Sequence, residues 1–359
     1  MKANSNPYLS ELPLDNELET KSVLKSLPAA HAALAELKGI ASTIPNQEIL
    51  INTLGLKEAK DSSAIENIIT THDDLYNSGL SLSSFKSLEA KEVQNYISAL
   101  KRGYELISQT GLLNNRIILQ VQEILENNNA GFRKLPGTIL KNSATGETVY
   151  TPPQDYEEIL QLMTNLESYI NEPQICDCDP LVKMAIMHYQ FESIHPFYDG
   201  NGRTGRILNI LYLIMEKLQT LPILYLSSYI IKHKSDYYRY LQEVRIKNLW
   251  EDWILFMVKG VEETSRETIE LILRIKELMF DYKHRLRSSY KFYSQDLLNN
   301  LFKHPYTKIE FLVKELGVSR ITAANYLNQL AEDNILRKEK LGTGNYYVNE
   351  PLFNLLSKR

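Results

Sequence analysis

A chain of 359 residues with 43% hydrophobic and 23% charged residues can bury full cores in two or three domains and is not a disordered polymer. Its net charge of −4 gives no whole-chain attraction to nucleic acid or to an anionic membrane, and no apolar run nears the roughly 20 residues that span a bilayer. The first twenty residues carry acids and no apolar signal core, so export is not expected. Cys176 and Cys178 lack the four-ligand spacing of zinc, and a cytoplasmic, reducing location fits.

Glycine is scarce and apolar residues recur mostly at helical spacing, which predicts a mainly α fold. Residues 1–20 read as a polar arm with Pro7 and Pro13. Helical patterns follow over about 21–39, 46–68, 84–109 and 115–127, the last stopped by three asparagines and Gly131. Thr138 to Leu140 and Thr148-Val149-Tyr150 flank Ser143-Ala144-Thr145-Gly146, a hairpin signal that Pro152 and Pro153 end. Asp179-Pro180 supplies an N-cap and a first-turn proline for a helix over about 180–193, apolar on most sides and therefore buried.

That helix delivers the most informative segment, residues 195–206: His-Pro-Phe-Tyr-Asp-Gly-Asn-Gly-Arg-Thr-Gly-Arg. A Gly-rich loop opening a helix is an anion site, because bare N–H groups point outward and the helix dipole favours negative charge. Arg203 and Arg206 add planar forks suited to phosphate. Asp199 is a hard oxygen ligand for magnesium, and His195 is the nearby side chain able to take a proton near neutral pH. Together these parts specify phosphoryl or nucleotidyl transfer from a magnesium nucleotide.

Downstream, Ser235-Asp236-Tyr237-Tyr238 opens another helix, and a connecting helix is predicted over 262–286. A short helix then covers 309–316, Gly317-Val318 turns, Ser319 caps a second helix over 320–332, and two strands flank Gly342-Thr343-Gly344. This order is that of a winged helix-turn-helix. Residues 291–359 carry ten Lys and Arg against seven Asp and Glu, and Arg320 is the lone cation of the recognition helix. Phosphate neutralisation is thin, so DNA binding does not follow, although Asn325, Asn328 and Gln329 are of the type that reads bases.

The 195–206 string matches the signature of Fic proteins, His-x-Phe-x-Asp/Glu-Gly-Asn-Gly-Arg-x-x-Arg, at every defined position. The chain resembles that family, most of whose members move AMP from ATP to a hydroxyl of a protein. The resemblance implies His195 as general base, Asp199 as magnesium ligand, and Phe197 as the loop's core anchor. It implies ATP binding by Asp199, Gly200, Asn201, Gly202, Arg203, Thr204, Gly205 and Arg206, with Tyr237 and Tyr238 against the nucleotide. Some relatives carry Asn where this chain has Arg245.

The resemblance also gives meaning to Ser62-Ser63-Ala64-Ile65-Glu66-Asn67, which is similar to the family's inhibitory motif. Ser62 and Glu66 share a helix face, and Glu66 is expected to pair with Arg206 and exclude the γ-phosphate. The hairpin is implied to be a flap whose Thr148, Val149 and Tyr150 dock a target by strand addition.

The implied architecture is an N-terminal helical domain (1–110, inhibitory helix about 56–68), a Fic core (111–261), a connecting helix (262–288) and a winged helix (289–359). The implied activity is transfer of AMP from Mg2+-ATP to a Tyr, Ser or Thr hydroxyl, with no membrane partner. The hydroxyl belongs to a target protein or to this protein itself, and a homodimer and DNA binding stay open. Gly202 argues against γ-phosphate transfer of the Doc kind, which uses a lysine there. Removal of AMP and a nucleotide-sensing DNA-binding regulator remain alternatives.

Overall fold

The computed structural model describes residues 9–15, 17–69, 88–142, 145–341 and 344–357. The arm before Leu9, the predicted helical residues 84–87, the hairpin tip Ser143-Ala144 and the wing tip Gly342-Thr343 lie outside the described residues. The fold is mainly α, as its sequence periodicity predicts.

Helices α1 (Lys21–Ala41), α2 (Gln47–Ile65), α3 (Leu88–Thr110) and α4 (Asn115–Glu126) lead to the hairpin β1 (Leu140–Lys141) and β2 (Thr148–Tyr150). Then come α5 (Tyr156–Asn171), α6 (Pro180–Ile194), α7 (Asn201–Met215), α8 (Leu226–Lys232), α9 (Lys234–Lys247) and the long α10 (Trp250–Ser289). The C-terminal module holds α11 (Gln295–Lys303), β3 (Tyr306–Thr307), α12 (Ile309–Leu316), α13 (Arg320–Glu332), β4 (Arg337–Leu341), β5 (Gly344–Val348) and α14 (Glu350–Ser357). Its antiparallel sheet runs β3-β5-β4.

Helix α6 is the hub. Its residues from Leu181 to Ile194 are all buried, so it needs no amphipathic stripe and is packed on every side. Asp179 caps its start by accepting from the Leu181 N–H, as the Asp-Pro pair predicts. Gly103 of α3 admits the Leu211 side chain of α7, since a Cβ there would stand 2.6 Å from Leu211 Cδ1. Trp253 of α10 is fully buried, donates Nε1–H to the Ala185 carbonyl of α6 at 2.9 Å and lies parallel to His188.

The connecting helix predicted over 262–286 is the later part of α10, which begins at Trp250 and runs unbroken along α1. No glycine or proline interrupts residues 250–259, and Gly260 sits inside the helix where Tyr229 and Leu226 crowd its Cα. Helices α5, α8, α11 and α14 were not distinguished in the sequence. Cys176 and Cys178 are joined as a disulfide, and closing so short a loop constrains little chain. Among the described residues no helix is long and apolar enough to cross a membrane.

Replacing Trp253 by Ala removes a buried ring and leaves the Ala185 carbonyl without its donor. The expected cost is about 3–5 kcal/mol, read as a lower denaturant midpoint of the full chain by circular dichroism.

Candidate functional site

Helix α6 ends because His195 turns left-handed, with φ 50° and ψ 57°. A non-glycine residue rarely adopts that conformation without support. Arg133 supplies it. The fully buried guanidinium donates from Nε to the His195 carbonyl at 2.8 Å and from Nη2 to the Pro153 and Ile194 carbonyls. Its own backbone N–H bonds the Pro196 carbonyl at 2.8 Å. One cation therefore gathers the carbonyls that a helix C-terminus leaves open.

The loop after His195 is locked from within. Asn201 Nδ2 donates to the Phe197 carbonyl while its Oδ1 accepts from the Phe197 N–H, both at 2.9 Å. The amide expected to bind ATP is thus spent on loop geometry. Phe197 is fully buried beside Phe132 and Phe191, as the anchor role requires. Gly200 takes φ 77° and α7 starts without a side-chain cap, so its leading N–H groups stay open for an anion. Asp199 is exposed beside them and accepts from the Gly200 N–H at 2.7 Å.

The two motif arginines differ sharply. Arg206 is 1% exposed; Nε donates to Ser62 Oγ at 2.8 Å, and Nη2 to the Ser62 carbonyl at 3.0 Å and to Glu66 Oε1 at 2.9 Å. Glu66 Oε1 occupies the place that a Cβ on Gly202 would need, so the carboxylate rests on the open loop itself. Burial works against the Arg206 charge, but Glu66, Tyr237 and Glu192 together hold its pKa above the ordinary value. Asn67 follows Glu66 in a left-handed turn and accepts from Lys234 at 3.1 Å.

Arg203 is committed elsewhere. Its Nη1 meets Glu92 of α3 at 2.7 Å and its Nη2 meets Glu126 of α4 at 2.9 Å. The Glu126 carboxyl also fills the space that a side chain on Gly200 would take. Gly205 is bare for a similar reason, since Glu192 Oε1 lies 2.6 Å from where its Cβ would be. Thr204 is fully buried beside them. Burial pushes both Glu126 and Glu192 up to about 7.

The tyrosine pair is split. Tyr237 is buried and bonded through its hydroxyl to His188 at 2.8 Å within the Trp253 and Phe256 cluster, so it supports the site from beneath. Tyr238 is 44% exposed and alone presents a face. In the flap, Thr148 and Val149 are displayed, whereas Tyr150 is buried, donates to the Ser193 carbonyl at 2.8 Å and lies under Arg245. Gln242 Nε2 bonds the Val149 carbonyl at 3.2 Å. The flap is thus tied to the helix that ends in His195.

In the C-terminal module, Arg320 pairs with Glu310 at 2.9 Å, and Asn328 Oδ1 accepts from Lys338 and Tyr347. Of the candidate base readers, Asn325 and Gln329 remain exposed.

Comparison with known proteins places this geometry. Residues 24–105 match the Fic/DOC family N-terminal model, residues 112–213 the Fic/DOC family model, and residues 278–352 the model for the C-terminal domain of SoFic-like protein adenylyltransferases. Protein adenylyltransferase fic-1 of Caenorhabditis briggsae is 31% identical over 113 residues, 32% of this chain and 21% of that protein. Protein adenylyltransferase Fic of Aedes aegypti is 31% identical over 112 residues, 31% of this chain and 20% of that protein. The chain thus spans about a fifth of these curated relatives' length. A Fic family protein from Desulfovibrio desulfuricans G20 superposes with TM-score 0.59 at 22% identity over 92% of this chain and 96% of its own. A Fic domain containing signaling protein from Bacteroides thetaiotaomicron gives 0.55 at 19% over 68% and 96%. At that identity the structures establish a shared fold.

The His195 ring has its Nδ1 buried. Burial first, then Arg245 and Arg133, pushes its pKa down to about 4, against a smaller opposing effect of the Glu192 carbonyl. The ring is therefore neutral at pH 7. An unfolded histidine takes its proton near pH ~6.5, so this site contributes stability above that value and loses it as pH falls through about 4. An NMR titration is expected to show His195 with a midpoint near 4, moving upward in Arg245→Gln.

Proposed function

The chain belongs to the Fic/DOC family, and from that premise we propose that it is a protein adenylyltransferase held at low activity by its own Glu66. The observation that carries this reading is the convergence of three groups on one uncapped helix start. A neutral His195 stands before it, an exposed Asp199 beside it, and the Glu66 carboxylate rests on Gly202 within it.

A Tyr, Ser or Thr hydroxyl of a target attacks the α-phosphorus of ATP. His195 accepts the hydroxyl proton, the O–P bond to the target forms, and the bond to pyrophosphate breaks. The leading N–H groups of α7 stabilise the charge on the α-phosphate, and positioning supplies much of the rest. Thr148 and Val149 present the strand edge along which a target segment lies, with its hydroxyl toward His195.

Asp199 fits magnesium, which takes one or two carboxylates and completes its shell with phosphate oxygens and water. Glu66, Glu92 and Asp199 lie around the loop with Glu126 and Glu192, whose carboxyls burial pushes up to about 7, and Arg133, Arg203, Arg206 and Arg245 are cations there. A polyanionic nucleotide entering there is helped by a divalent ion that neutralises its phosphates.

Glu66 opposes the same entry. It takes a guanidinium N–H of Arg206 that a terminal phosphate would take, and it repels that phosphate. Glu66 is 35% exposed, so solvent screens the pair and its replacement by phosphate is within reach of binding energy.

The test incubates wild type, Glu66→Gly and His195→Ala with magnesium and ATP labelled at the α-phosphate. Label on protein is expected to rise about tenfold or more in Glu66→Gly, the factor for ~1.4 kcal/mol, and to vanish in His195→Ala. Equal label in wild type and Glu66→Gly removes the brake; no label in any variant removes the transferase.

A further inference from the structure

Helix α2 carries the inhibitory Glu66 at its end, and two stripes of residues run along it. Glu58, Ser62 and Glu66 recur every four positions, as do Glu48, Asn52 and Leu56. Their centres, Asn52 and Ser62, lie ten residues apart, about 80° around a helix of 3.6 residues per turn, so they are adjacent sides of α2 reached at different heights along it.

The first stripe faces the Fic core. Glu58 is 2% exposed and accepts from Tyr96 Oη of α3 at 3.0 Å, from Ser227 Oγ of α8 at 2.5 Å, and from the Ser227 N–H at 3.2 Å. One turn on, Ser62 holds Arg206, and Glu66 completes the contact.

The second stripe faces the C-terminal module. Glu48 Oε2 meets Lys303 Nζ at the end of α11 at 2.5 Å, and Lys303 also bonds Glu315 of α12 at 3.1 Å. Leu56 packs on the cluster of Tyr306, Tyr346 and Val348 in the module's sheet. Asn52 takes a hydrogen bond from Lys101 of α3 at 2.6 Å beside this junction. Asn300 of α11 ties the same corner together, donating to Glu315 and accepting from Thr307.

We infer that the C-terminal module sets the position of the inhibitory carboxylate through α2, with Lys303 and Leu56 as positioning residues for Glu66. The inference rests on the reading of Glu66 as a brake. From Glu48 to Glu66 the helix is about 27 Å long at 1.5 Å per residue, a rigid strut between the module's sheet and the Arg206 pocket. Its first half docks on the module and its second half on the core, so its position is the compromise between two docking surfaces. Weakening the module side frees α2 to shift, and a shift of an ångström or so breaks the hydrogen bond from Arg206 to Glu66.

The experiment uses the full chain, with Lys303→Glu, Lys303→Arg and Leu56→Ala made in wild type and in Glu66→Gly, and reads label from α-labelled ATP. In wild type, Lys303→Glu and Leu56→Ala are expected to raise transfer about threefold, the scale of losing one partly exposed ion pair, while Lys303→Arg stays at the wild-type rate. In Glu66→Gly the same substitutions are expected to leave the rate unchanged, because the group they position is gone. Hydrogen exchange of the α2 amides in Lys303→Glu is expected to quicken at residues 58–66, which monitors the strut if transfer is confounded by folding. Rates unchanged in wild type, or raised equally in both backgrounds, overturn the inference while the brake stands. A Glu66→Gly protein no faster than wild type overturns both, and that arm alone identifies the brake as the failure.

Discussion

The constraint on which the site depends is a guanidinium with almost no access to water. Arg206 is 1% exposed, and a charge that buried must be matched in every state the protein occupies. Ser62 supplies two acceptors in all states that keep α2 docked, and the remaining share falls to an anion at the loop. In this structure that anion is the Glu66 carboxylate, which rests against the bare Cα of Gly202; in the function proposed above a phosphate would take its place. Under the proposed function the two occupants would exclude each other, because they would use the same N–H and carry the same sign, and a contact that biases α2 would bias the choice.

Arg203 shows what the same residue type does without that choice. It stands three residues earlier on α7, but both of its Nη atoms are held by acids on α3 and α4, and its Nε is buried without a partner. Releasing it means stranding Glu126, whose carboxyl also shapes the loop beneath Gly200. The arrangement pins the start of α7 against the two preceding helices. One motif arginine thus serves as a fixed strut and the other as a switch, and the difference lies wholly in who supplies the carboxylate.

What the sequence made legible was local. The loop of residues 195–206, the Asp179 cap and the hairpin each announce themselves within a dozen positions, because turns, caps and anion loops are built from neighbouring residues. Glu66 was legible only through its spacing from Ser62 and a likeness to a known motif. The residues that escaped notice are ordinary in their local setting. Arg133 reads as one cation near a turn, and its partners lie about sixty residues away around His195. Glu92, Glu126 and Glu192 read as helical acids, and nothing near them signals that they meet Arg203 or Gly205. Tyr237 and Tyr238 read as a pair, although consecutive positions on a helix point about 100° apart, so one is buried and the other is displayed. The unbroken run of α10 back to Trp250 was hidden because a domain boundary was placed where no helix breaker stands.

The two halves of the site are built with different stiffness. His195 is held in a strained turn by Arg133, whose other bonds reach Pro153 at the root of the flap, while Tyr150 and Arg245 fix the flap to α6 and α9. His195 and the hairpin are thereby fastened together by bonds that do not involve α2. Glu66 sits at the end of a helix whose docking is divided between the core and the C-terminal module, and it is joined to the site by a single partly exposed carboxylate. If the proposed function holds, its control would need no rearrangement of His195. On the proposed function, the electrostatics of the anion loop would govern how a nucleotide is seated, while His195, held neutral by its burial, would already be in place.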